Sequence, residues 1–183
     1  MKINTNGQRI TIIVAQAGIM AALVAIATYF PQIPIPATKG YLNFGDIMIF
    51  ITALVFGPIV GGFAGGVGSA ISDVAGGYAF FAPFTLLIKG GEGLIAGLIS
   101  NSLSGRRDII AVAIGGIEMV SGYFLAEFFA LSEGWAALGE VPFNILQVTA
   151  GGVVGIAVAI VLRRRLPETW VGSTKKLSQQ LKS

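Results

Sequence analysis

Apolar segments follow one another along almost the whole chain, and this pattern limits the fold more than any other feature. The sequence is 54% hydrophobic and only 11% charged over 183 residues, and its mean hydropathy is +0.80. A single soluble core of that length cannot bury so much apolar surface. Because a helix needs about 20 apolar residues to cross a bilayer, the chain is predicted to be an all-α, polytopic membrane protein. One integral-membrane domain is expected to cover residues 1–183.

The apolar runs divide into six predicted membrane helices with short connections. Gly57 and Pro58 separate the second run from the third, because proline disfavours a helical residue before it and glycine accepts unusual backbone angles. A single kinked helix is the alternative at this point. After Leu162 the chain turns polar, and residues 163–183 are interpreted as a cytoplasmic tail. The predicted spans lie near residues 10–30, 44–57, 59–76, 84–100, 109–130 and 143–162.

The lysine and arginine residues predict the orientation of the bundle. With a cytoplasmic amino terminus, only Lys39 falls in an outer loop and Lys89 within a span, and all other basic residues lie inside. The positive-inside rule favours this orientation, so both termini are predicted to be cytoplasmic. The residues inside are Lys2, Arg9, Arg106, Arg107, Arg163, Arg164, Arg165, Lys175, Lys176 and Lys182. The sequence pI of about 9.4 is therefore attributed to topology and lipid contact, not to nucleic acid binding.

The composition excludes several kinds of chemistry. The sequence contains no cysteine and no histidine, which removes thiolate nucleophiles, imidazole bases, the usual zinc sites and haem ligation. An intramembrane aspartyl protease pairs two aspartates, one of them in a Gly-x-Gly-Asp setting. The segment ending at Asp46 reads Asn-Phe-Gly-Asp instead, and Asp73 has no matching context. We therefore predict a protein that is not an enzyme and that needs no metal or cofactor.

Small residues recur every four positions on two of the predicted helices. On the third helix they are Gly57, Gly61, Gly65 and Ser69. A face without side chains predicts a seam where another helix packs closely. A phosphate-binding loop is not indicated, because no Gly-Lys-Ser/Thr ending follows. The first helix carries Ala17, Ala21 and Ala25 at the same spacing, and this stripe is either an internal packing face or a docking surface.

Ionisable residues within the predicted spans indicate a polar interior. A charge at the bilayer centre costs about 2.5–3.5 kcal/mol on insertion scales, so such residues pair, face the bundle interior or line a wet cavity. From the helical rise, Lys89 lies about a third of the way in from the outer side, and Glu92 and Glu118 lie near mid-depth. The other three lie close to the outer boundary, where water can solvate them. These are Asp46, Asp73 and Glu127.

Lys89 and Glu92 are three residues apart, so they can neutralise each other on one helix. One interpretation is a structural ion pair, extended to Glu118. The other is that Lys89 faces an outward pocket while Glu92 holds it from below. Asn144 and Gln147 present amides from one face, as recognition of a polar heterocycle requires, and hydrogen bonding between helices is the alternative. Other polar residues expected near this pocket are Asn43, Tyr78 and Tyr123.

The order of motifs between Leu42 and Leu98 resembles that of a known family. The segments LNFGD, FGPIVGGFAGGVGSAISD, GGY and APFTLLIKGGEGLIAG are similar to the substrate-binding S components of energy-coupling factor (ECF) transporters, in the riboflavin and hydroxymethylpyrimidine group. The resemblance implies a subunit in the membrane of a prokaryotic cell that binds a water-soluble vitamin or precursor. It also implies a pocket closed by the first loop, residues 31–43. Such a subunit has no ATPase of its own and works with a transmembrane coupling subunit and two cytoplasmic ATPases, and the family is thought to topple in the bilayer.

The resemblance also implies roles for particular residues. The substrate contacts are expected at Asn43, Lys89, Tyr123, Glu127, Asn144 and Gln147, with Asp73 and Tyr78 near the rim, and Glu92 supports the site. The family's Ala-x-x-x-Ala docking motif matches Ala17 with Ala21 or Ala21 with Ala25. Riboflavin is the first ligand expected, and hydroxymethylpyrimidine, thiamin-like and pyridoxine-like ligands remain open, because related folds bind different ligands.

Two other classes of function compete with this interpretation. The buried charges would also suit a stand-alone secondary carrier or channel that couples transport to an ion. The glycine and alanine faces would suit a structural membrane subunit that serves assembly alone. In that case, replacing Lys89 or Asn144 would change stability without changing the affinity for any ligand.

Overall fold

The computed structural model describes residues 5–36, 38–100, 105–167 and 170–171. Five apolar stretches in this part of the chain are long enough to cross a membrane, and α2, with 12 residues, is shorter. The prediction of an all-α bundle is therefore confirmed. Its helices are α1 (Thr5–Tyr29), α2 (Gly45–Phe56), α3 (Pro58–Gly76), α4 (Ala82–Ile99), α5 (Gly105–Leu125) and α6 (Val141–Arg165).

Short elements lie at the end of the bundle where α1 ends and α6 begins. The connection between α1 and α2 forms an antiparallel hairpin of β1 (Ile33–Pro34) and β2 (Tyr41–Leu42), in which Ile33 lies opposite Leu42. A π-helical turn (Ala126–Ala130) continues α5, and a 3₁₀ helix (Gly134–Gly139) leads into α6. The first loop thus forms a small hairpin over one end of the bundle.

The glycine-rich face of α3 is a packing seam, as the spacing predicts. A Cβ atom built on Gly61 would lie 2.7 Å from the Cα atom of Ala53 on α2 and 2.8 Å from the carbonyl oxygen of Gly93 on α4. Side chains there would force the three helices apart. Gly57 has a φ of 88° and separates α2 from α3, so the kinked-helix alternative is excluded.

The alanine stripe of α1 faces inward at its centre. Ala21 is only 7% exposed and packs with Met20 and Val24 in a core cluster shared with α2 and α3. Gly68 of α3 makes room for it, because a Cβ atom there would lie 2.5 Å from the carbonyl oxygen of Ala21. Ala17 and Ala25 are half-buried on either side. Ala21, at the centre of the stripe, therefore packs within the subunit itself.

A buried ion pair joins the helices at the end of the bundle away from the hairpin. Arg163 Nη1 lies 2.6 Å from Asp108 Oδ2 on α5, and Arg163 Nη2 donates to Ser100 Oγ at 2.8 Å and to the carbonyl oxygen of Leu54. The Asp108 side chain is fully buried. α6 continues to Arg165, so Arg163, at the start of the expected tail, lies within the helix and contacts the bundle. Residues 172–183 lie outside the described part of the chain.

Candidate functional site

A polar cavity of about 30 Å³ lies beneath the hairpin. Helices α1, α3, α4, α5 and α6 contribute to its wall, together with the hairpin and Glu140, the residue before α6. The lining residues are Thr28, Gly40, Tyr41, Asn43, Ser69, Asp73, Phe81, Thr85, Lys89, Tyr123, Glu140, Asn144 and Gln147. A larger groove between α3 and α4 is lined by apolar and small residues such as Ile71 and Leu86, as expected of a lipid-facing surface. The polar cavity is therefore the candidate site.

An ion-pair cluster forms the floor of this cavity. Lys89 pairs with Asp46 of α2, and its Nζ atom lies 3.1 Å from Glu92 Oε2. All three side chains are at most 3% exposed. Two carboxylates thus surround one ammonium group. Glu118 instead packs against the backbone of α4, where a Cβ atom on Gly91 would lie 2.7 Å from Glu118 Oε1.

The placement of the acidic residues corrects the expectation that water solvates those near the outer boundary. Asp46 and Glu127 have no exposed surface, and Asp73 is 1% exposed. The hairpin and the segment before α6 lie over the outer ends of the helices, where the helical rise places these carboxylates, and they keep water away. Gly151 of α6 contributes too, because its missing side chain lets the helix approach the Cβ atom of Asp46. The depth of a residue along its predicted helix does not reveal that loop segments cover it.

Gln147 connects the floor of the cavity to the hairpin. Its Nε2 atom donates to Asp46 Oδ1 at 3.3 Å, and its Oε1 atom accepts from the backbone nitrogen of Asn43 at 2.9 Å. The Asn43 side chain in turn accepts from the backbone nitrogen of Gly45 at 2.8 Å, at the start of α2. The Gln147 amide is thus engaged on both sides and positions other groups. Asn144, one turn earlier and 5% exposed, lines the cavity with its own amide.

The hairpin is held down over the cavity by hydrogen bonds to three acidic residues. The Tyr41 hydroxyl donates to Asp73 Oδ1. Thr38 Oγ1 donates to Glu140 Oε2 at 2.6 Å, and the backbone nitrogen of Lys39 donates to Glu133 Oε1 at 3.3 Å. Burial, followed by the nearby Asp73 carboxylate, raises the pKa of Tyr41, so its hydroxyl stays a neutral donor. The hairpin therefore covers the cavity as a lid.

Six of the predicted substrate contacts line the cavity, and two do not. The lining ones are Asn43, Asp73, Lys89, Tyr123, Asn144 and Gln147. Tyr78 lies outside and packs its ring against Tyr41, with 4.5 Å between the ring centroids. Glu127 is buried but is not part of the cavity wall. Glu92 lies outside the lining and forms an ion pair with Lys89, and its supporting role stays a prediction.

Several lining residues were missed in the sequence. Thr28, Ser69, Thr85 and Glu140 line the cavity, and Asp46 anchors its floor. Ser69 was assigned to the small-residue seam, although it lies four residues before Asp73 and shares its helical face. That spacing of two polar residues on an otherwise small and apolar helix was the signal available for Ser69.

A bundle of membrane helices around a buried, lidded polar cavity defines a membrane protein that takes up a small solute. The family model described as ECF-type riboflavin transporter, S component, matches residues 9–164. The chain belongs to this family of transporter S components. It is accordingly a membrane transport subunit for a vitamin or vitamin precursor and not an enzyme.

Two curated proteins are similar to the chain over most of its length. A Pyrococcus woesei protein, described only as an uncharacterized protein in the gap 3′ region, is 45% identical over 144 residues, which are 78% of this chain and 96% of that protein. The thiamine precursor transporter HmpT of Lactococcus lactis subsp. cremoris (strain MG1363) is 27% identical over 163 residues, which are 88% of this chain and 91% of that protein.

Proposed function

We propose that the chain is the substrate-binding subunit of an ATP-driven ECF importer and that its ligand is a small, basic nitrogen heterocycle of the aminopyrimidine type, such as hydroxymethylpyrimidine. The observation that carries the choice of ligand is the excess of carboxylates around the cavity. Among the described residues, Asp73 and Glu140 line it, whereas Lys89, the one cation in its lining, is already paired with Asp46 and Glu92. An amino group beside a basic ring nitrogen suits carboxylate acceptors.

The engaged state of Lys89 argues against an anionic ligand. A phosphate or carboxylate would have to compete with two buried carboxylates for the same ammonium group, and it would also approach Asp73 and Glu140. Like charges in a poorly solvated site repel strongly. A neutral or cationic heterocycle avoids both costs. In this proposal Lys89 does not bind a charged group of the ligand. It lies in the cavity wall and neutralises Asp46 and Glu92.

The size of the cavity also favours a small ligand. About 30 Å³ holds one or two water molecules, so any vitamin requires the lid to move outward. A one-ring ligand needs less rearrangement than a three-ring flavin. Riboflavin is the second candidate, because the matching family model is named for it and the cavity offers the rings of Phe81 and Tyr123 for stacking.

Titration of the purified protein tests the choice of ligand. The detergent-solubilised chain, freed of bound small molecules, is titrated with hydroxymethylpyrimidine and with riboflavin by calorimetry. We expect saturable, submicromolar binding of hydroxymethylpyrimidine and weaker or no binding of riboflavin. Tighter binding of riboflavin than of hydroxymethylpyrimidine would make riboflavin the ligand, and binding of neither would overturn the proposal. Mass spectrometry of the ligand that co-purifies from cells is the independent check.

The proposed partners are a transmembrane coupling subunit and two cytoplasmic ATPases. We place both termini of this single-domain chain in the cytoplasm and the lid outside, which follows the distribution of basic residues. Docking at Ala17, Ala21 and Ala25 stays a prediction, but the inward position of Ala21 makes it a poor contact. Gly18 and Ala22, four residues apart, are exposed small residues of α1 and are the better register.

Vesicle transport separates the importer from a stand-alone carrier. Vesicles that hold only this chain should not accumulate hydroxymethylpyrimidine under a proton or sodium gradient. Vesicles that also hold the coupling subunit and ATPases should accumulate it when ATP is supplied. Gradient-driven uptake by the chain alone would favour the carrier.

A further inference from the structure

We infer that α1 and α3 form a ligand-binding subsite of their own, in which Asp73, Ser69 and Thr28 accept hydrogen bonds from a donor group of the ligand. The donor is an amino group or a protonated ring nitrogen. This inference rests on the proposed function, since it assumes that the cavity receives a ligand. It differs from the sequence-based expectation, which took the ligand contacts from the first loop and from the later helices, with Asp73 only near the rim.

The three side chains line the same cavity. Ser69 and Asp73 are four residues apart on α3 and share a helical face, and Thr28 lines the cavity from the end of α1, where its hydroxyl lies beside Gly45 of α2. Thr28 is 3% exposed, and Ser69 and Asp73 are each 1% exposed. These polar groups are therefore shielded from solvent beneath the lid.

Each of these side chains has an oxygen without a partner. Among the described residues, Thr28 Oγ1, Ser69 Oγ and Asp73 Oδ2 are buried and accept or donate no hydrogen bond. Buried polar atoms in folded proteins almost always have a partner, because an unpaired one loses its hydration without compensation. Three such atoms in the lining of one cavity indicate that their partner is the ligand.

The Asp73 carboxylate divides its two oxygens between the lid and the cavity. Oδ1 accepts the hydrogen bond from the Tyr41 hydroxyl of the lid, and Oδ2 is unpaired. Thr85 lies beside the same carboxylate and accepts from the Tyr123 hydroxyl at 3.1 Å. One residue thus contacts both the closing segment and the ligand. Ligand binding through Oδ2 therefore favours the carboxylate position that holds the lid.

The chemistry of the subsite selects donors. An ionised carboxylate only accepts hydrogen bonds, and hydroxyl groups can join it as acceptors. Gln147 is held in place by its bonds to Asn43 and Asp46, so its amide can offer the ligand at most one further N–H and one lone pair. Asn144 remains as an amide that can read an acceptor of the ligand. The exocyclic amino group of an aminopyrimidine therefore points to α3, and its ring acceptor points to α6.

The Asp73→Asn variant tests the role of the unpaired Oδ2 atom. The amide oxygen can still accept from Tyr41, while an NH₂ group replaces Oδ2 and meets the donor of the ligand with another donor. We expect the affinity for hydroxymethylpyrimidine, measured by calorimetry, to fall about 10-fold to 100-fold. The analogue of hydroxymethylpyrimidine with oxygen in place of the exocyclic amino group should lose much less affinity on this substitution, because it offers an acceptor at that position.

Ser69→Ala is compared with a variant that removes a buried hydroxyl outside the cavity. Thr52 of α2 is fully buried and donates to the carbonyl oxygen of Met48, and it does not line the cavity. Ser69→Ala should weaken binding about 3-fold to 10-fold, and Thr52→Val should leave the affinity unchanged. If riboflavin is the ligand that the wild-type protein binds, the same variants are titrated with it, because its imide N–H is a donor.

Thermal melting without ligand separates a ligand contact from a structural one. A ligand contact predicts that Asp73→Asn melts at or above the wild-type temperature, because it removes a buried carboxylate charge that forms no ion pair among the described residues. A lower melting temperature together with unchanged affinity would overturn the inference, as would equal effects of Ser69→Ala and Thr52→Val on binding. If the wild-type protein binds neither probe, the proposed function fails first and the subsite falls with it.

Discussion

The ammonium group of Lys89 on α4 pairs with Asp46 on α2, 43 residues earlier in the chain, as well as with Glu92 one turn away on its own helix. The sequence alone predicts only the second pair. The first one ties two helices together at the floor of the cavity. Because all three groups are buried, removing one charge leaves the others uncompensated.

Loss of the Lys89 charge should therefore destabilise the bundle. Lys89→Met leaves Asp46 and Glu92 facing each other, and breaking a buried ion pair in this way costs about 3–5 kcal/mol. We expect a clearly lower melting temperature in detergent and loss of ligand binding. Arg164→Met, which removes an exposed positive charge, is the control and should melt like the wild type.

A double-mutant cycle checks the same ion pair. Asp46→Asn combined with Lys89→Met should melt higher than Lys89→Met alone, because one of the repelling carboxylates is neutralised. Strictly additive losses would contradict the pairing of Lys89 with Asp46.

The lid bond between Tyr41 and Asp73 should control how long the ligand stays bound. Tyr41→Phe removes the hydroxyl and keeps the ring, so we expect the ligand to dissociate about 3-fold to 10-fold faster, as loss of one hydrogen bond predicts. Stopped-flow displacement measures this rate. Tyr78→Phe is the control, because Tyr78 stacks on Tyr41 and lies outside the cavity. Equal rates for both variants would show that the hydroxyl bond does not hold the lid.

The seam between α2, α3 and α4 should not tolerate one added methyl group. In Gly61→Ala the new Cβ atom would lie 2.7 Å from the backbone of Ala53 and 2.8 Å from that of Gly93, and overpacking of this kind costs about 1–3 kcal/mol. Gly18→Ala is the matched helical control, because nothing lies within 4 Å of its added Cβ atom. Thermal melting should separate the two variants, and a Gly61→Ala protein as stable as Gly18→Ala would contradict the seam.

The Arg163 ion pair should stabilise the end of the bundle away from the lid. Arg163→Met leaves the buried Asp108 carboxylate without its cation, so we expect a loss of about 3–5 kcal/mol in unfolding free energy. Arg164→Met again provides the exposed comparison. Proteolysis near the carboxyl end of α6 should become faster only in the Arg163 variant. Equal melting of both variants would show that the pair is not a stabilising contact.

Bulky substitutions on α1 should separate docking from folding. Ala22→Trp adds a large side chain on the exposed face, so ligand binding should persist while ATP-dependent uptake with the coupling subunit is lost. Ala21→Trp should instead destabilise the subunit itself, because Ala21 packs against α3. Full uptake with Ala22→Trp would remove this face from the proposed docking surface.

Local patterns in the chain were enough to predict the helices and the seam. Apolar runs, the break at Gly57 and Pro58, and the four-residue spacing of glycine all act over neighbouring residues, and the structure follows them closely. Polar residues near the outer ends of the spans, together with the family resemblance, predicted six of the thirteen residues that line the cavity. Local patterns predicted contacts between two helices, or between a helix and a loop, less well.

Composition and the lengths of the apolar runs are enough to predict a helical membrane bundle whose charges must be neutralised, since bilayer thickness and the cost of buried charge act on any sequence of this composition. Which charges meet depends on how the helices pack. The tertiary structure paired Lys89 with Asp46, turned Ala21 inward and placed Ser69 beside Asp73 in the cavity wall. These relationships depend on the rotation of each helix about its axis and on the path of the hairpin, which contacts between distant parts of the chain set.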